Sequence, residues 1–117
     1  MKNIIIDGVE YTPKTETANK NKDGLEYVVI RTYSAGVHAG YIQSRKGKEV
    51  VLVDSRRLWY WDGAFTLSAI AKDGVSKPSD CKFSCVVGMI ILTEAIEIIP
   101  CTKTAQNSIE GVKEWKN

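Results

Sequence analysis

This sequence predicts a mainly β fold: a small antiparallel sandwich or partly open barrel carrying one or two short helices. Three observations support that prediction. From Tyr27 to Ala71, short runs of β-branched and aromatic residues alternate with period two, the pattern of half-buried strands. The turns between them are too brief for the crossovers that parallel strands require, so neighbours should pair antiparallel. With 117 residues, 44 % hydrophobic and 26 % charged, the chain holds one core and no second independent unit.

The single domain divides into an N-terminal hairpin (1–12), a mobile loop (13–24), a core (25–101) and a short C-terminal helix with a tail (102–117). Ile4, Ile5 and Ile6 run into Asp7-Gly8, a pair suited to the positive φ angles of a tight hairpin turn, and Val9, Glu10 and Tyr11 return from it. Pro13 to Gly24 carries Thr, Asn and Lys without apolar periodicity and reads as the loop. Glu26 to Tyr33 is a strand, Ser34-Ala35-Gly36 a turn, His38 to Ser44 a second strand, and Lys46-Gly47-Lys48 a polar turn.

Val50 to Trp61 continues the meander, but Asp54-Ser55-Arg56 interrupts its apolar pattern. A bulge is expected there, or a short break between strands Val50 to Val53 and Leu58 to Trp61. Leu67, Ile70 and Ala71 have helical spacing, with Thr66 as N-cap and Gly74 as stop. Ser76 to Asp80, with Pro78, is a loop. Strands are expected at about Lys82 to Val87 and Ala95 to Ile99, with Gly88 dividing the apolar run, Pro100 ending the second strand and Thr102 capping the last helix.

Charge and cysteine content exclude several function classes. A formal net charge of +2 provides no strong field for long nucleic acid. The apolar stretch Val86 to Ile99 is broken by Glu94 and Glu97 and falls short of the about 20 residues that span a bilayer, so no membrane association is expected. Cys81, Cys85 and Cys101 form an odd set behind a start without signal-peptide layout, which predicts free thiols and a cytoplasmic location. His38 is the single histidine and no close CxxC pair exists, so neither a metal nor another cofactor is expected.

The densest local chemistry is Arg56-Arg57-Leu58-Trp59-Tyr60-Trp61. Strand alternation sets Arg57, Trp59 and Trp61 on one face and Arg56, Leu58 and Tyr60 on the other. Either face could stack a flat ring and pair an anion, because aromatic rings offer π faces and guanidinium a planar donor fork. The competing reading fills the core with Trp59 and Trp61, leaves Arg57 at its edge, or makes the rings a subunit contact. Ser34, His38 and Asp54 have the residue types of a hydrolytic triad without a nucleophile-elbow motif, and Glu94 and Glu97 fall on opposite strand faces, so no enzyme is expected.

Arg31-Thr32-Tyr33-Ser34-Ala35-Gly36-Val37-His38, Gly40-Tyr41, Glu49-Val50-Val51-Leu52 and Arg56 to Trp61 resemble a family of small tailed-phage and prophage proteins described as a domain of unknown function. The resemblance runs through Gly63-Ala64, Leu67, Gly74-Val75 and Ile91 to Cys101, covering about 27–101, while Cys81 to Met89 departs from the pattern. It implies a phage accessory protein in the bacterial cytoplasm and carries no catalytic residues. In that context the expected role is capture of a small anionic or nucleotide ligand, as a counter to host defence signalling, by Arg31, Tyr33, His38, Arg56, Arg57, Trp59 and Trp61. The alternative is a structural or interaction module that self-assembles as a homo-oligomer or binds a virion or host protein through the same aromatic surface.

Overall fold

The computed structural model describes the backbone of residues 4–6 and 9–11 and the whole of residues 17–116. Strands β1 (Ile4–Ile6) and β2 (Val9–Tyr11) pair antiparallel, in register Ile4 with Tyr11. The Asp7-Gly8 turn expected between them lies outside the described residues, as does Pro13 to Glu16 of the expected loop. From Thr17 to Gly24 that loop holds no helix or strand but is fastened: Thr17 bridges Thr102, and the Asn19 N–H donates to Gln106 Oε1 at 2.8 Å.

The core is a six-stranded antiparallel sheet that does not close. It comprises β3 (Glu26–Thr32), β4 (Val37–Lys46), β5 (Glu49–Tyr60), β6 (Lys82–Phe83), β7 (Val87–Leu92) and β8 (Ala95–Pro100), in the order β6-β5-β4-β3-β8. The twelve-residue β5 pairs β7 along its first half and β6 along its second. Thr93 and Glu94 join β7 to β8 although these two flank opposite sides of the sheet, so the sheet must curl.

The curl explains why both faces are buried. On the inner face Val28, Ile30, Val50, Leu52, Leu92 and Ala95 form one apolar cluster. On the outer face Tyr27, Val29, Ala39, Leu58 and Phe83 pack against helices α1 (Leu67–Asp73) and α2 (Lys103–Gly111) through Ile70, Ala71, Ala105 and Ile109. Each buried Val, Leu, Ile or Phe side chain among them contributes about 1.5–3 kcal/mol. Both helices start as their sequences require: Thr66 and Thr102 accept from the N–H of Ala69 and Ala105, at 3.0 and 3.1 Å. Gly74 ends α1 at φ 78°, where a Cβ would also meet Ser108.

Of the two alternatives expected at Asp54-Ser55-Arg56 the bulge is the one observed, while the strand expected from Lys82 differs. β5 is one strand with a bulge at Asp54, whose φ of 48° is accommodated by a short polar side chain. The strand expected over Lys82 to Val87 stops at Phe83, because Ser84 turns its hydroxyl back on the backbone, accepting from the Arg57 N–H and donating to the Cys85 carbonyl. Gly88 does not divide the following run; it lies inside β7.

Candidate functional site

The Asp54 bulge decides what the site contains. Tyr41 pairs with Val53 but Ala39 with Arg56, so β5 spends one extra residue opposite Gly40 and its side-chain alternation shifts by one. Without that residue Arg56 would share the inner face with Leu52. With it, Ser55, Arg57 and Trp59 turn inward beside His38, and Arg56 turns outward beneath the helices. Gly40 is required at the bulge: a Cβ there would stand 2.6 Å from Ser55 Cβ and 2.8 Å from Ser55 Cα.

Beside β5 the curled sheet leaves a pocket of about 260 Å³ lined by His38, Ser55, Arg57, Trp59, Ser84, Cys85, Val87 and Ile90, and by part of Arg56. Most of its wall is apolar. The half-buried Arg57 guanidinium lies over the Trp59 ring at 5.1 Å, and among the described residues no carboxylate or hydrogen-bond acceptor engages it. Ser55 is 1 % exposed, and its hydroxyl has no hydrogen-bond partner. A buried hydroxyl left unpaired costs about 1–3 kcal/mol, and this one belongs to a residue that borders the pocket.

His38 supplies a neutral wall. It is buried, and its Nε2 stands 2.9 Å from the Ala35 carbonyl, which requires the proton on Nε2 and leaves Nδ1 as an acceptor. Burial above all, and then the Arg57 charge, hold its pKa below the usual histidine value, against the opposing pull of the Ala35 carbonyl. The positive charge of the pocket therefore comes from Arg57.

Of the seven residues expected to bind a ligand, the structure brings His38, Arg57 and Trp59 together, with Trp59 58 % exposed rather than in the core. Arg56 touches the pocket wall but spends its guanidinium elsewhere: it donates to the carbonyls of Ser84, Ile109 and Val112 and lies 5.4 Å from the Phe83 ring centre. Trp61 packs on the helix side because β5 ends at Tyr60 and the chain departs from strand alternation. Arg31 pairs with Glu97 on the surface at 3.6 Å, and Tyr33 projects into solvent at 77 % exposure. Ser34 donates to Glu94, and no hydrogen bond joins it to His38 or Asp54.

Sequence reasoning missed Ser55, Ser84, Cys85, Val87 and Ile90. One available signal was Ala39-Gly40 in mid-strand, where small residues mark a close backbone approach. A larger, open groove of about 720 Å³ lies between Pro78, Ser79, Cys81 and residues Lys113 to Lys116, but Lys116 there is already paired with Glu114 at 3.3 Å. Among the described residues no helix is long and apolar enough to cross a membrane.

Neither a curated protein nor a solved structure matches this chain. A family model does match, over residues 25–109, the stretch from just before β3 into the last turn of α2, which holds the pocket and every buried residue of the two apolar clusters except Val112. The chain belongs to the family described as domain of unknown function DUF6948.

Proposed function

We propose that this domain is a non-catalytic binding module that captures a small anion bearing a flat or apolar body in the Ser55–Arg57–Trp59 pocket. The observation that carries the reading is the coincidence of an unpartnered buried hydroxyl with an unpaired guanidinium stacked on an exposed indole. Arg57 offers a planar donor fork to a carboxylate or phosphate, Ser55 a further donor, and Val87, Ile90 and Trp59 the surface against which a ring can lie. The resemblance to tailed-phage proteins makes nucleotide signals of host defence the ligand class to screen first.

Calorimetric titration with linear and cyclic mono- and dinucleotides tests the proposal. Binding is expected for at least one of them, weakened by about 10-fold or more in Arg57→Ala through loss of a charge-assisted contact and reduced in Trp59→Ala. No heat from any member of the panel, with protein shown to be folded, refutes the nucleotide reading. Binding that survives Arg57→Ala unchanged refutes the pocket.

A further inference from the structure

On the reading of the β5 pocket as an anion site, on which this rests, we infer that it selects monoanions, a carboxylate or a phosphate diester carried on one flat ring, over phosphate monoesters. Three basic side chains border the pocket, Arg56, Arg57 and His38, and no carboxylate does. Only one of the three keeps a charge free for a guest.

Arg56 holds its guanidinium on the carbonyls of Ser84, Ile109 and Val112, at the carboxyl end of α2, where the helix dipole and the Glu114 carboxylate offset its charge. His38 is buried and donates from Nε2 to the Ala35 carbonyl, so a further proton would have to settle on Nδ1. That would bury an imidazolium beside Arg57, the cross-strand partner of His38 on β5. What remains is the single positive charge of Arg57, half-buried over the Trp59 ring and without an acidic or hydrogen-bonding partner among the described residues. The fourth titratable side chain of the pocket, Cys85, is a free thiol exposed at the rim.

One positive charge among apolar walls sets the charge of the guest. A carboxylate or a phosphate diester brings two oxygens and one negative charge, which the planar guanidinium fork takes as a bidentate pair and neutralises. A phosphate monoester carries about −1.5 to −2 at pH 7. Its surplus charge would lose water against Val87, Ile90 and Trp59 with no second cation to replace that water. Size restricts the body of the guest as well. The volume of about 260 Å³ falls below the roughly 300–1,000 Å³ of pockets that enclose drug-sized ligands, so one ring and its acid group fill it.

The test is calorimetric titration of the full chain, in reducing buffer at neutral pH, with naphthoate, cyclic adenosine monophosphate and adenosine monophosphate. The two nucleotides share base and sugar and differ in being a diester and a monoester. At least one of the two monoanions is expected to bind about 10-fold or more tighter than the monoester. Naphthoate alone assigns the carboxylate and the cyclic nucleotide alone the diester, and either result supports the charge rule. Cys85→Lys adds a second cation at an exposed position on the rim, checked for folding by circular dichroism, and is expected to narrow the gap by about 5-fold or more. Equal affinities or a tighter monoester overturn the charge rule and leave the anion site standing. A gap that Cys85→Lys does not narrow overturns it too, as does silence from all three probes, whereas the anion reading itself fails only on the wider nucleotide panel.

Discussion

Arg56 and Arg57 are adjacent in sequence and opposite in consequence, which makes truncating each a sharp test of the bulge. Arg56 is 5 % exposed, and its guanidinium donates to the Val112 carbonyl at 2.7 Å, to Ile109 at 3.0 Å and to Ser84 at 2.9 Å. It thereby serves as a side-chain cap for the carboxyl end of α2, where a positive charge also suits the helix dipole. In Arg56→Ala the Ile109 carbonyl keeps a bond from the Val112 N–H, but the Val112 carbonyl loses the partner described for it, at about 1–3 kcal/mol. Adding the lost contact over Phe83, at about 0.5–2 kcal/mol, gives about 3 kcal/mol in total. With a urea m-value of about 1.5 kcal/mol/M the unfolding midpoint falls by about 2 M. Arg57→Ala, which removes a guanidinium that holds no hydrogen bond, should change stability by under about 1 kcal/mol. Equal losses for the two variants, or a loss under about 1 kcal/mol for Arg56→Ala, would show that the strand is not phased as described.

Two further outcomes follow from the same region. Gly40→Ala drives a Cβ into the Ser55 backbone and should lower stability by about 1–3 kcal/mol, read as a drop in thermal midpoint; an unchanged midpoint would mean the close approach is absent. His38 is held neutral in the fold with a pKa below its unfolded value, so the unfolded chain takes up its proton first as pH falls. Its contribution is fully present above about pH 6.5 and declines below it toward the folded pKa. Stability measured against pH should show this decline in wild type and lose it in His38→Gln, and the same slope in both would remove His38 as its source.

Much of the architecture was legible because local chemistry dictates it. Alternation over Glu26 to Tyr60 produces three antiparallel strands, Thr66 and Thr102 cap the two helices, and Gly74 stops the first. The error at Lys82 to Leu92 arose because a continuous apolar run carries no period. What divides it is Ser84, whose hydrogen bonds to Arg57 and Cys85 depend on where the chain returns in space.

The candidate site was legible only in part, for a geometric reason. The residue types in Arg56 to Trp61 announced a cation beside aromatic rings, and their alternation separated Arg57 and Trp59 from Arg56. Which of the two sets would face His38 depended on one extra residue at Asp54, a phase that no property of the hexapeptide contains. Sequence by itself determined that this chain is mainly β, where its helices begin and that Arg57 would lie near Trp59. Tertiary structure alone decided that Arg56 is consumed by carbonyls, that Trp61 leaves the strand, and that Ser55 is buried without a partner. Those outcomes depend on contacts between residues as far apart in the chain as Arg56 and Val112, and local pattern carries no information about them.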